Sequence, residues 1–517
     1  MSWTYSIELQ TEQKWDFSGR VASTCPHWSL AEFPVSLRQL LPLPMVFSSA
    51  TFLFYFLPVF LLLYLLAPTR FKNWVALLGS LAFYTWGAPN FVLILLGAIG
   101  VDFFLAKWMG KESRPKRKKQ ILACSLVLNV GLLAYFKYAN FFVDNLNQIL
   151  QSWGVNSVEW VAVALPIGIS FFTFQKISYV LDVYRGTHAP LTSLRDYALY
   201  ILLFPQLIAG PIVRYHEVAD QLLERKSQLS APFALAGMFR FVIGLSKKML
   251  IANPLGKTVD IVFAGDLSQL GTGTAWIILI AYAFQIYYDF SGYSDMAIGL
   301  GQMMGFRFPE NFRFPYTSRS ITEFWRRWHI TLSQWMRDYL YIPLGGNRHS
   351  ASRTYLNLWI VFLISGLWHG AAWNFLIWGI WHGSFLVLER LFLGKILKRI
   401  GALPSLIYAF LVVLIGWVWF RVESLGDGWL YLQQLAGADG GTERWFHPYY
   451  RFNLILAAAF AFLPALFQWE KRLESWLETS TRPLAIWGKA LLAAGLLLLC
   501  FSEIATASFN PFIYFRF

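Results

Sequence analysis

Charge is scarce in this chain. Of 517 residues, only 14% are Asp, Glu, Lys or Arg, where a soluble globular protein carries about 25%. That deficit excludes an ordinary water-soluble domain, and a disordered polyelectrolyte with it. Cysteine is nearly absent too. Cys25, Cys124 and Cys500 have neither paired nor metal-ligand spacing, which excludes a disulfide framework and a zinc site. No internal repeat, low-complexity tract or long linker interrupts the sequence, so a solenoid or a tethered second domain is not expected.

What the chain holds instead is apolar length. The residues AVILMFWYC make up 56% of it, and runs such as "FLFYFLPVFLLLYLLA", "WVALLGSLAFYTW" and "LLAAGLLLLC" recur. A helix needs roughly 20 such residues to cross a bilayer. Spanning or half-spanning candidates fall at 51–68, 73–88, 90–108, 121–142, 159–180, 196–210, 233–252, 274–300, 354–375, 376–394, 404–421, 452–468 and 484–503. The expected class is an all-α polytopic membrane protein with the lipid bilayer as its partner. The net charge of +14 needs no nucleic acid to explain it: Lys and Arg cluster in short loops, above all "KESRPKRKKQ" (111–120), which reads as cytoplasmic. A lipid-headgroup or partner site is the alternative use of that run.

Residues 1–44 are mixed and moderately polar, with no apolar core of the signal-peptide kind. "MVFSSATFLFYFLPVFLLLYLLAP" (45–68) reads as a natural beginning, so 1–44 is expected to be an atypical extension, untranslated or disordered, ahead of a membrane domain 45–517. Residues 422–450 form the longest polar excursion after the centre and read as a loop.

Polar chemistry concentrates between 285 and 383. "QIYYDFSGYSDMAIGLG" (285–301) places Asp289, Ser291, Tyr293 and Asp295 in an apolar neighbourhood. Acidic groups at membrane depth cost roughly 3 kcal/mol or more, so they either pair with nearby arginines such as Arg307 or Arg313, or line a polar substrate path. In "SRSITEFWRRWHITLSQWMRDYLYIPLGGNR" (318–348), Ser320 and Glu323 have capping-box spacing. Trp325, Trp328, His329, Leu332, Met336 and Tyr339 then recur on one face of an amphipathic helix that Pro343 and Gly345–Gly346 end. That helix would lie at the interface or re-enter the membrane. His329 stands on its apolar face, as a hydrogen-bonded core residue or a reactive one.

"SGLWHGAAWNFLIWGIWHG" (365–383) carries Trp368, His369, Asn374 and His382. His369 and His382 are 13 positions apart, about 220° and about 20 Å on an unbroken helix, so both cannot serve one site there. At most one is expected in a reaction centre, with the other nearer a surface. Gly366, Gly370, Gly379 and Gly383 suggest close helix contacts or breaks. Imidazole titrates near neutrality and suits a proton acceptor, but the pattern does not choose between the two rings.

At these residues the chain resembles the membrane-bound O-acyltransferase family, in its bacterial polysaccharide O-acetylation branch. The resemblance rests on "MVFSSATFLFYFLP", "GISFFTFQKISYVLDVYRG", "LFPQLIAGPIVRY", "YYDFSGYSDMAIGLG" with "GFRFPENFRFPY", "FWRRWHITLSQWMRDYLYIPLGGNR" and "SGLWHGAAWNFLIWGIWHG". It implies that family's fold, with roughly 11–13 transmembrane helices plus short re-entrant or interfacial ones. It implies an essential histidine in the Leu-Trp-His-Gly element, here His369. A second polar position, an Asn, Asp or His some forty residues earlier, matches His329, which would orient the acyl group or donate a hydrogen bond to the oxyanion. His382 is a helper candidate, and Asp289, Ser291, Tyr293, Asp295, Trp368 and Asn374 are candidates for the substrate path. The resemblance further implies no bound cofactor or metal and a cytoplasmic acyl donor, with acetyl-CoA favoured. It implies a periplasmic acetyltransferase partner, a location in the inner membrane, and an exported polysaccharide such as alginate as the acceptor. The competing classes are a polymer channel, which would show paired repeats, and a non-catalytic scaffold of an export complex.

Overall fold

The structure is a computed structural model that describes residues 45–224, 230–437, 446–467, 469, 476 and 483–506; the proposed extension 1–44 lies outside them. Among the described residues every regular element is helical. The chain opens with α1 (Thr51–Leu66, its first turn a π-turn), α2 (Lys72–Gly87), α3 (Val92–Lys111) and α4 (Pro115–Ser152). It continues through α5 (Ile169–Arg185), α6 (Leu194–Leu202), α7 (Phe204–Leu207) and α8 (Tyr215–Leu223). The central group is α9 (Ala231–Ser246), α10 (Asn253–Phe263), α11 (Thr272–Met303), α12 (Ile321–Arg327), α13 (Ile330–Met336), α14 (Ala351–His369) and α15 (Trp373–Leu388). The last are α16 (Gly394–Ile400), α17 (Ala402–Arg421), α18 (Leu425–Ala436), α19 (Pro448–Leu466) and α20 (Pro483–Thr506).

Among the described residues five helices are long and apolar enough to cross a bilayer: Pro89–Lys111, Pro115–Ser152, Trp373–Ile400, Ala402–Arg421 and Ile486–Thr506. Three expected segments differ. Residues 159–180 become helical only at Ile169, after a stretch without regular structure. Residues 196–210 split at Leu203 into α6 and the four-residue α7, because Leu203 leaves the helical region and Pro205 begins a new turn. The polar excursion 422–450 is no simple loop: Ser424 caps the N-terminus of α18 through its hydroxyl.

The central helix α11 is buried along nearly its whole length. It packs antiparallel to α9 through facing glycines. A Cβ on Gly299 would lie 2.5 Å from the Gly237 carbonyl, and one on Gly292 would lie 2.7 Å from that of Gly244. Small residues spaced by seven on both helices allow this backbone contact, which apolar side chains alone do not drive in lipid.

Buried charges tie the same elements together. Lys248, in the π-turn after α9, pairs with Asp289 at 2.6 Å. Arg240 and Lys247 pair with Asp295 at 2.9 and 2.6 Å, and Arg240 also holds Glu310. The partners of the two aspartates thus come from α9 and its turn rather than from Arg307 or Arg313, because the glycine seam lays α9 along α11. Asp102 of α3 is a second buried node: Lys176 lies at 3.1 Å, and Ser125 and Asn129 donate to the same carboxylate.

Candidate active site

The expected single helix over 320–342 is broken at the histidine. Trp328 is extended and His329 is left-handed, at φ 44°. The cause is a tertiary pairing with residues 311–313. Arg313 N–H donates to the Arg327 carbonyl at 2.9 Å, and Ile330 N–H donates to that of Asn311 at 3.0 Å. Of the expected capping box one half forms: Glu323 N–H donates to the Ser320 hydroxyl at 3.0 Å, while the Glu323 carboxylate accepts from Arg319 N–H instead. Glu389 adds a carboxylate at the α12 N-terminus, accepting from the amides of Ile321 and Thr322 and from the Thr322 hydroxyl. A negative group there is favoured by the exposed N–H donors. His329 is thereby presented, fully buried, between two short helices.

The second break falls at Gly370–Ala372, between α14 and α15, and turns the chain back on itself. The two helices then touch through glycine: a Cβ on Gly379 would lie 2.5 Å from the Phe362 carbonyl, and Gly366 lies against that of Phe375. This hairpin overturns the expectation that His369 and His382 occupy separate environments. His382 is not near a surface; it is fully buried, and the Trp378 ring lies 5.0 Å from both imidazoles. A straight helix separates residues 13 apart, but a helix folded at Gly370 does not.

His369 is the last residue of α14. Its ring stands edge-on to Trp368, Trp378 and Phe420, with centroids 4.9, 5.0 and 5.1 Å away. It keeps 5% exposure. The last carbonyls of a helix lack intrahelical donors, and here each has a partner. Gly370 N–H reaches Gly366 at 3.3 Å. Tyr138 Oη donates to Leu367 at 2.6 Å, and Lys137 Nζ donates to Trp368 and, at 3.0 Å, to His369. The turn that carries His369 is thus capped from outside, by two consecutive residues of α4.

His329 approaches the same place from the other side. Its ring lies 6.1 Å from that of Trp368 and 4.7 Å from that of Phe290. Trp368 thus stands beside both imidazoles, 6.1 Å from that of His329 and 4.9 Å from that of His369. Trp368 itself stacks on Phe174, 5.2 Å away, and its indole N–H reaches the Ser170 carbonyl at 3.5 Å.

The other expected residues divide. Asn374 donates to the carbonyls of Trp419 and Val422 at 3.1 and 2.7 Å, tying α15 to the end of α17. Asp289 and Asp295 are held in the ion pairs above. Tyr293 stacks on Phe47 at 4.6 Å. Ser291 is buried, with no hydrogen-bond partner for its hydroxyl among the described residues. Lys137, Tyr138 and Asn311 escaped the sequence reading. A lone lysine inside the apolar run "LLAYFKYANFF" was the available signal for the first; Asn311 sits in a quoted motif without any pattern that marks a role.

The family model for membrane-bound O-acyltransferases matches residues 187–422. The chain is 48% identical over 403 residues to the protein named probable alginate O-acetylase AlgI of Azotobacter vinelandii, covering 76% of this chain and 79% of that one. It is 37% identical over 430 residues to the peptidoglycan O-acetyltransferase of Helicobacter pylori, covering 77% and 80%. It is 29% identical over 219 residues to the teichoic acid D-alanyltransferase of Bacillus subtilis, covering 40% and 54%. The chain belongs to the membrane-bound O-acyltransferase family. It is an acyltransferase of the membrane, and both histidines lie inside the matched segment.

Proposed function

We propose that this acyltransferase moves acetyl groups from a cytoplasmic donor, acetyl-CoA, across the inner membrane for O-acetylation of an exported polysaccharide such as alginate. The relatives named for alginate and peptidoglycan O-acetylation support the acetyl group and the polymer. A periplasmic acetyltransferase would be the partner that completes delivery.

The observation that carries the chemistry is the capped helix end with His369 as its last residue, facing His329 across Trp368. In the neutral state His369 takes the proton from an acceptor hydroxyl as the oxygen attacks the thioester carbonyl. The tetrahedral intermediate then collapses, the C–S bond breaks, and the thiolate leaves with the proton that His369 returns. A positioned base of this kind contributes about 10²–10⁴ in rate.

The distance of the site from the basic end of α4 supports a reading of transfer across a bilayer, whose apolar core is about 30 Å thick. Lys137, which caps the His369 turn, is 22 residues beyond Pro115 at the basic end of α4, about 33 Å along the helix. By the positive-inside rule the basic end faces the cytoplasm, so a donor entering there must thread inward. The test is transfer of radiolabelled acetyl from acetyl-CoA by membranes holding the wild type or the His369→Ala protein. Loss of transfer in the variant is expected; equal labelling would remove the catalytic assignment and favour a scaffold.

A further inference from the structure

Asn311 lies beneath His329, and its orientation is fixed by two contacts that allow one reading. Thr331 backbone N–H can only donate, and it meets Asn311 Oδ1 at 3.3 Å. The Gly210 carbonyl can only accept, and it meets Asn311 Nδ2 at 3.3 Å. The Thr331 hydroxyl also reaches Oδ1 at 2.8 Å, and Nδ2 reaches the Ser294 hydroxyl at 3.1 Å. The atom that faces His329 Nδ1 at 3.1 Å is therefore a carbonyl oxygen. An amide oxygen has lone pairs only, so Nδ1 must carry the hydrogen of that bond. In a neutral imidazole one nitrogen bears hydrogen and the other a lone pair. Nε2 then holds the lone pair, and this buried atom has no hydrogen-bond partner among the described residues.

We propose that Asn311 is a positioning residue that locks His329 as the Nδ1–H tautomer, so that Nε2 serves the acyl-transfer centre as a hydrogen-bond acceptor for a substrate N–H or O–H. This rests on the proposed function and revises one expectation drawn from the family resemblance, that His329 donates a hydrogen bond to the oxyanion. A neutral ring held this way cannot donate to an oxyanion; it orients a substrate through a hydrogen that the substrate supplies. Two sources fit: the amide N–H of a pantetheine-type donor arm, and the hydroxyl of the acceptor.

The first experiment reads the tautomer on the full-length wild type. The protein is labelled with ¹⁵N-histidine, and the His329 signals are assigned by subtracting the His329→Gln spectrum. A protonated, pyrrole-type Nδ1 with a bare, pyridine-type Nε2 is expected. A protonated Nε2, alone or together with Nδ1, overturns the proposal, and so does an unchanged tautomer in Asn311→Leu.

The second is kinetic, on membranes that also hold the periplasmic acetyltransferase partner, with acetyl-CoA as donor and deacetylated alginate oligosaccharides as acceptor. His329→Leu should raise one KM about 3- to 10-fold, the size of one hydrogen bond, and His329→Gln, whose amide oxygen still accepts, should recover part of it. A rise in the donor KM identifies the arm N–H; a rise in the acceptor KM identifies the hydroxyl. A fall in kcat with both KM values unchanged is the behaviour of an oxyanion donor and overturns the proposal. His369→Ala separates the two readings. If it is inactive while the tautomer is wrong, only this inference falls; if it is fully active, the catalytic assignment falls and the spectrum still decides the tautomer.

Discussion

Removing Lys137 should leave the fold nearly intact while disabling the enzyme. In Lys137→Met the carbonyls of Trp368 and His369 lose their donor. Each orphaned buried carbonyl costs about 1–3 kcal/mol, roughly 2–6 kcal/mol for the two. Against this stands the burial of the lysine itself. Among the described residues no carboxylate lies within 4.0 Å of its nitrogen, and burying such a group costs several kcal/mol. The two effects are of one size and opposite sign, so the net change in stability should stay within about 2 kcal/mol. The rate is a different matter. With its last turn free to fray, α14 no longer fixes the His369 ring, and a displacement of about 1 Å can cost about 10²-fold. The assay pairs thermal unfolding in detergent with acetyl transfer from labelled acetyl-CoA. Tyr138→Phe, which loses one hydrogen bond to Leu367, should show a smaller rate loss. Wild-type transfer by Lys137→Met, where His369→Ala is inactive, would refute the claim that the cap positions the ring.

Three further outcomes follow from the packing. Gly379→Ala would push a methyl into the Phe362 carbonyl, and overpacking costs about 1–3 kcal/mol; a lowered unfolding temperature with reduced transfer is expected, measured on the same purified protein. Lys176→Met leaves Asp102 without its cation and should cost about 3–5 kcal/mol, whereas Asp102→Leu combined with Lys176→Met should recover much of that loss; unfolding of the single and double variants compares them. Glu389→Ala leaves the α12 amides of Ile321 and Thr322 unpaired and should cost about 2–5 kcal/mol, while Glu389→Gln, which keeps one carbonyl oxygen, should fall between it and the wild type.

What was readable in advance follows from what is local. Apolar runs report spanning helices because bilayer thickness sets their length, and Gly366 and Gly379 announced a close contact because only glycine permits one. His329 was legible as a polar ring among apolar neighbours. Its helix break was not, since residues 321–336 have an unbroken amphipathic pattern and the interruption comes from pairing with Asn311 and Arg313. In the same way nothing near Asp289 or Asp295 names Lys248 or Arg240, which lie some forty or more residues earlier; the glycine seam between α9 and α11 brings them alongside. The 13-residue spacing of His369 and His382 misled for a related reason. Angular arithmetic holds only on a continuous helix, and this one turns back at Gly370.

The left-handed backbone at position 329 restricts which side chains can stand there before any chemistry is asked of them. Most residues pay about 1–2 kcal/mol for that conformation, while glycine, asparagine, aspartate and histidine enter it with the least difficulty. Of these four, three carry a polar side chain, and they are the same three that the family resemblance admits at this site. If His329 serves the proposed centre, substitution there is filtered twice, once by the peptide geometry and once by that role, so replacements that satisfy both should be few and drawn from Asn and Asp.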